Sequence, residues 1–234
     1  MISIIIPAHK EKPNLIQLVS YLGNVENASA SEIIIAQSPD CCEDIANLAN
    51  GTSVSVVKCE KKGRACQMNE AAKQAKGEIL AFLHADVKPP KAFLNNIKNT
   101  IEDGFDAGFF SYKFDRDSFW LRINSFFTAK DGLFTGGGDQ CLFIRKSVFT
   151  ALGGFDEKQV LMEDFEFFKR MKKSKIPYTI VKNDLVVSAR KYESNSYLRV
   201  NLSNLLLVIL FKLGYPSEKL KFLHNKLLRT PYNG

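Results

Sequence analysis

The 234-residue sequence offers little sulfur or imidazole chemistry. Its five cysteines, Cys41, Cys42, Cys59, Cys66 and Cys141, are odd in number and include no C-x-x-C pair. Only three histidines, His9, His84 and His224, accompany them. A disulfide framework and a Cys/His zinc site are therefore not expected; the thiols read as scattered and reduced, as in a cytosolic protein. Long apolar runs are missing too. The longest, Leu205 to Phe211, falls far short of the ~20 residues that a spanning helix needs. The N-terminus, Met1-Ile-Ser-Ile-Ile-Ile-Pro7, has no basic leader and reads as a strand rather than a signal peptide. Repeats, low-complexity linkers and composition breaks are also absent.

What is present is ordinary globular composition, 45% apolar and 24% charged. A chain of this length buries about 70% of its unfolded surface and folds without staples. Lys and Arg (32) outnumber Asp and Glu (25), giving a formal charge of +7. That favours anionic partners: phosphorylated small molecules, nucleic acid or an anionic membrane surface. The basic residues are dispersed among acids without an aromatic-basic motif, so nucleic acid is not expected.

Apolar patterning in the first half alternates between strand and helix. Ile2 to Ile6, ended by Pro7, reads as a strand buried on both faces. Pro13 opens a helix with Leu15, Leu18, Val19 and Leu22 as its stripe and Gly23 as its stop. Glu32–Ala36 and Ser53–Val57 are the next strands. Gly63–Lys76 is a helix capped by Gly77, Glu78–Leu83 a fourth strand, and Pro89-Pro90 leads into a helix with Phe93, Leu94, Ile97 and Ile101 inward. This order implies a mostly parallel sheet with helices on both faces. In the second half, Ala107–Phe114, Gln140–Arg145 and Tyr178–Val187 read as strands, and Ser118–Ala129 and Glu163–Lys173 as helices. The predicted division is a domain over 1–195 and a helical appendix over 196–234, two helices split by Gly214-Tyr215-Pro216, packed on or beside it.

In such a sheet, ligands bind beyond the carboxyl ends of the strands. Four segments meet that rim: Pro7-Ala8-His9-Lys10-Glu11, Gln37-Ser38-Pro39-Asp40, Lys61-Lys62-Gly63-Arg64 and His84-Ala85-Asp86. Asp86 ends an apolar strand. One carboxylate holds Mg²⁺ or Mn²⁺ only when diphosphate oxygens and waters complete the shell; the bland alternative is a turn cap. Gly63-Arg64 could hold phosphate at a helix N-terminus or be a solvated turn. Gly136-Gly137-Gly138 permits close ligand approach or makes a tight turn. Glu163-Asp164 opens a helix, where Asp164 is either a cap or a general base. The helix dipole lowers its pKa, so a base there requires partial burial.

Ile4-Ile5-Ile6-Pro7-Ala8-His9-Lys10-Glu11 resembles the opening strand of family 2 glycosyltransferases of the GT-A fold. Gly63-Arg64-Ala65-Cys66-Gln67-Met68-Asn69 and Leu83-His84-Ala85-Asp86 resemble their second block, and in particular a small bacterial subgroup, the selenodomain-associated transferases. Gly138-Asp139-Gln140, Ala151-Leu152-Gly153-Gly154-Phe155 and Met162-Glu163-Asp164 resemble the third block, and Ser188-Ala189-Arg190-Lys191-Tyr192-Glu193 the fourth. The resemblance covers about residues 2–214. It implies an α/β, Rossmann-like sheet with a mixed second half. It also implies inverting transfer of a sugar from a nucleotide-diphosphate-sugar donor to an acceptor hydroxyl. Asp86 would bind Mg²⁺ or Mn²⁺, and Asp164, beside Glu163, would be the base. Pro7, Ala8, Glu11, Gln37 and Arg64 would line the nucleotide site. Arg190 would stabilise the leaving diphosphate, and Gly138, Asp139 and Gln140 would form the donor-sugar or acceptor floor.

Two departures qualify this. His84 stands where many relatives carry the first acid of D-x-D, which puts the metal more heavily on Asp86 and leaves His84 as either a packed side chain or a further metal ligand, the packed reading being favoured. Gln37-Ser38-Pro39-Asp40 replaces an acidic base-reading stretch, so the nucleotide stays open. A sugar nucleotidyltransferase would need a glycine-rich loop after the first strand, which is missing. A non-catalytic nucleotide-binding or scaffold protein of the same fold is the remaining alternative. The tail's apolar helix followed by a basic amphipathic one admits core packing, a homodimer contact or peripheral membrane contact; a cytoplasmic, membrane-associated location fits the last.

Overall fold

The structure is a computed structural model that describes residues 1–49 and 53–229; the last five residues of the expected appendix lie outside them. Its centre is β1 (Ile2–Ala8), in which Ile4, Ile5 and Ile6 have no solvent exposure. A strand with consecutive apolar residues must be covered on both faces, and this one is. Ile4 and Ile6 pack with Leu15 and Leu18 of α1 (Lys12–Leu22) and with Phe93 and Ile97 of α3 (Phe93–Glu102). Ile5 faces Met68, Ala71 and Ala72 of α2 (Arg64–Gln74), Phe149 of α5 (Lys146–Ala151) and Phe167 of α6 (Glu163–Lys173). Each buried isoleucine contributes about 1.5–3 kcal/mol.

The sheet has eight strands in the order β3-β2-β1-β4-β7-β6-β8-β5. β1, β2 (Ser31–Gln37), β3 (Val54–Lys58) and β4 (Ile79–Phe82) run parallel, with Ile4 opposite both Ile33 and Ala81. β7 (Phe143–Arg145) is antiparallel to β4 and to β6 (Ala107–Phe114). β8 (Tyr178–Val187) is parallel to β6, with a bulge between Phe110 and Tyr112, and antiparallel to β5 (Val87–Lys88). The mostly parallel first half and mixed second half match the expectation. α4 (Phe119–Thr128) follows β6, and α7 (Tyr197–Lys212) and α8 (Ser217–Leu227) close the chain. α7 starts at Ser196, whose hydroxyl accepts from the Arg199 N–H.

Three local expectations need correction, and two short elements were not expected. β1 does not end at Pro7: its pairing with β4 stops at Ile5, whereas pairing with β2 continues to Ala8. Pro7, with no N–H to give, thus sits where the β4 side is no longer paired. Gly77 does not cap α2, which ends at Gln74 with Ala75 in the cap position. Gly77 is required because a Cβ there would stand 2.6 Å from Ser3 Oγ and 2.7 Å from Ser3 N. The strand expected over Gln140–Arg145 begins only at Phe143: Gln140 ends a 3₁₀ turn over Gly138–Gln140, and Cys141 (φ 50°) turns the chain before the strand begins. β5 and α5, two and six residues long, carry no periodicity that the sequence displays.

The topology delivers loops to one rim. The antiparallel β7 brings its preceding loop to the carboxyl end of β4, where Phe82 N–H donates to Leu142 O (2.8 Å). β5 pairs with the end of β8, so the residues after Val187 arrive beside those after β4.

Candidate active site

Arg190 draws three rim segments together. Its Nη2 lies 3.0 Å from Asp86 Oδ2 and 3.4 Å from Glu11 Oε1. Asp86 therefore faces the rim and is not a mere turn cap. Glu11 precedes α1 and accepts from Asn14. Burial raises its pKa, Asn14 and Arg190 oppose that, and Asp86 and Glu43 add to it.

Opposite lies a second cluster. Glu163 is buried (5% exposed), and its Oε1 is 3.3 Å from Arg64 Nη1 at the first turn of α2. Burial works against the charge on Arg64, but Glu163, Asp164, Asp139 and Asp86 hold its pKa above the usual value. The acids come from the start of α6, entered through Met162 in left-handed backbone (φ 65°). Met162 itself makes no side-chain cap bond, and Asp164 lies one residue inside the first turn. Burial raises the Asp164 pKa to about 7; Glu163 and Asp139 push the same way, and His84 and Arg64 oppose. Burial of a carboxyl favours its neutral form, the direction seen here.

Gly138 binds these parts into one site. A Cβ there would stand 2.5 Å from His84 Cε1, 2.7 Å from His84 Nε2 and 2.6 Å from Asp164 Oδ2. Only glycine lets the loop lie between the imidazole and the carboxylate. On the far side of the ring, His84 Nδ1 lies 3.7 Å from Asp139 Oδ1, and Lys191 Nζ is 3.6 Å from Asp139 Oδ2. Burial would raise the Asp139 pKa, but Lys191, His84 and Arg64 prevail and hold it well below the usual carboxylate range. The His84 side chain is 14% exposed.

Other expected residues build walls. Gln140 is buried; its Oε1 accepts from Gly136 N–H (2.9 Å) and its Nε2 donates to Thr128 O (3.0 Å), so it fixes the glycine loop from below. Gln37 Nε2 donates to Glu43 O (2.7 Å) and holds the loop after β2 against the rim. Ala8 is buried at the end of β1, with Pro7 partly buried beside it.

Sequence reasoning missed Lys191, Glu43, Gln67 and Asn69. Lys191 adjoins Arg190 in a quoted block and could have been found there. Gln67 and Asn69 explain the G-R-A-x-Q-M-N motif structurally. Gln67 Nε2 donates to the carbonyls of Ala8 (3.0 Å) and Ala36 (2.7 Å), clamping the ends of β1 and β2. Asn69 Nδ2 donates to Phe155 O (2.9 Å), and Asn69 Oδ1 accepts from Phe155 N–H (2.9 Å). Strain also gathers here. Of five non-glycine residues with positive φ among the described residues, Lys10, Cys141 and Met162 each adjoin a site residue.

Among the described residues no three of His, Cys, Asp and Glu form a ready-made metal cluster. The donor set, Asp86 on a cation-rich rim, fits a divalent ion that arrives with diphosphate oxygens of its own.

The family model for Glycosyl transferase family 2 matches residues 3–163. Over 109 residues the chain is 28% identical to the dolichol-phosphate mannosyltransferase of Pyrococcus furiosus; the match takes in 45% of this chain and 31% of that protein. The fold is shared with the Staphylococcus aureus TarS 1–349 structure (TM-score 0.64, 17% identity, 89% of this chain and 65% of that one). It is also shared with the mannosyltransferase PcManGT from Pyrobaculum calidifontis in complex with GDP-Man and Mn²⁺ (TM-score 0.66, 15% identity, 97% and 70%). The architecture is thus GT-A, and the chain belongs to glycosyl transferase family 2.

Proposed function

We propose that the protein is an inverting glycosyltransferase that moves a sugar from a nucleotide-diphosphate-sugar donor to an acceptor hydroxyl. Residues 1–195 form the catalytic unit and the helices of 196–234 lie beside it. The carrying observation is the Asp164 carboxyl, raised to about 7 beside a rim lined by Arg64, Arg190 and Lys191. A base near neutral pH facing a cationic phosphate site suits attack by a hydroxyl on a phosphorylated carbon. The structural neighbours, TarS 1–349 in complex with UDP-GlcNAc and PcManGT in complex with GDP-Man, support a donor of that class.

In this reading Pro7, Ala8, Glu11 and Gln37 bound the nucleotide pocket, and Gly138 and Asp139 floor the sugar. Asp164 Oδ2 takes the hydroxyl proton as the acceptor oxygen bonds to the anomeric carbon. The carbon–phosphate-oxygen bond breaks, and its electron pair stays on the diphosphate. Glu163 and Arg64 hold Asp164 in place, while Arg190 and Lys191 stabilise the charge growing on the leaving group. A divalent cation held by Asp86 would add Lewis-acid stabilisation of that diphosphate.

Thermal stabilisation by a panel of nucleotide sugars, with and without Mn²⁺, tests this. One nucleotide should raise Tm in a metal-dependent way, and Asp86→Ala should remove the metal dependence. A panel that moves Tm nowhere contradicts the proposal.

A further inference from the structure

The outer side of α7 carries a stripe that its own fold leaves bare. Leu198, Leu202, Leu206, Ile209 and Leu213 follow one another at helical spacing, and all are exposed, Leu198 at 67%, Leu202 at 63% and Leu213 at 77%. The opposite side, with Val200, Leu207 and Val208, is the one buried in the protein. An amphipathic helix normally spends its apolar stripe on the core; here a second one points to solvent.

Two neighbours of α7, α4 and α8, expose apolar side chains as well. At the start of α7, the Tyr197 ring lies 5.5 Å from Trp120 of α4, and Asn124 of α4 donates to Asn201 of α7 (3.0 Å). α4 exposes Phe119, Trp120, Phe126 and Phe127, and Lys130 Nζ sits 4.1 Å from the Phe126 ring. On α8, which packs along α7, Phe222 is 71% exposed. Lys219 and Lys226 fall at i−3 and i+4 from Phe222, and so share its face.

Charge selects the occupant. Residues 196–229 hold six Lys or Arg against one Glu, so +5 of the chain's +7 lies in this tail. An isologous dimer through this face would set two such charges against each other. An acidic lipid surface would instead accept both the apolar stripe and the lysines, with aromatic rings at headgroup level. No helix among the described residues is long and apolar enough to cross a membrane. α7, with 16 residues, spans about 24 Å and suits lying in the interface.

We propose that α7, α8 and the aromatic face of α4 form one surface that docks the protein on an anionic phospholipid bilayer. The docking does not depend on which donor the rim accepts.

Co-sedimentation of the full chain with phosphatidylcholine vesicles, with and without phosphatidylglycerol, tests it. The protein should pellet with the anionic vesicles only and be released by salt. The single tryptophan, Trp120, should shift to the blue on binding. Leu202→Asp with Leu206→Asp should lower partitioning by about tenfold or more at unchanged Tm. Lys219→Glu with Lys226→Glu, on exposed positions of another helix, should do so by a similar factor. Failure to bind anionic vesicles overturns the proposal, as does binding that neither pair weakens. Binding that leaves Trp120 emission unmoved removes α4 from the surface. A wild-type dimer that the leucine pair turns into a monomer assigns the stripe to self-association instead.

Discussion

In the proposed mechanism Asp164 carries the proton transfer; its ordinary pKa of 3.8 is raised to about 7 by burial first and by Glu163 next. For a general base the sign is simple: the working form is the ionised one. Turnover should rise with pH through about 7 and then level off. A profile flat across that window would remove Asp164 as the titrating base. The stability effect runs the other way. The fold favours the protonated carboxyl, so its contribution is full below the unfolded value and is lost as pH rises through about 7. Asp164→Asn removes that loss, and thermal melts should show the variant more stable than wild type at pH 8, by on the order of 2 kcal/mol, and similar at pH 4. Gly138 is the second telling position. Gly138→Ala would force its methyl against His84 and Asp164, costing about 1–3 kcal/mol in urea unfolding and most of the turnover.

At the scale of elements, α2 does more than fill a layer. Its Gln67 and Asn69 side chains tie the rim ends of β1 and β2 and the chain at Phe155 to one helix. Asn69→Ala leaves the Phe155 N–H and carbonyl without their side-chain partner and should cost about 2 kcal/mol by urea denaturation. An unchanged midpoint would show those bonds to be replaceable. The main strands and helices were legible because their patterns are long: β1 is apolar apart from Ser3, and α3 buries Phe93, Leu94, Ile97 and Ile101 as its spacing requires. β5 was not legible, because two residues gain strand character only from β8 beside them. Gly77 misled for a related reason: a glycine near a helix end suggests a cap, whereas the Ser3 backbone that demands it is distant in sequence.

For the molecule as a whole, the site exists because the mixed sheet returns distant loops to one edge. The Asp86–Arg190 contact joins residues 104 positions apart. The residue types at that edge could be read from the chain, because carboxylates and arginines stand out after apolar strands. Which acid meets which cation could not, and so Lys191 and the Asp139–His84–Asp164 arrangement around Gly138 emerged only in three dimensions. Charge is likewise uneven: the rim balances acids against cations, and the excess gathers in the tail. The most direct test compares wild type with Asp164→Asn on the nucleotide sugar that binds, with Mn²⁺ present, recording Tm shift and release of nucleoside diphosphate together. The expected result is equal donor binding, with release at least about 100-fold slower in the variant. Equal release from both proteins would contradict the account.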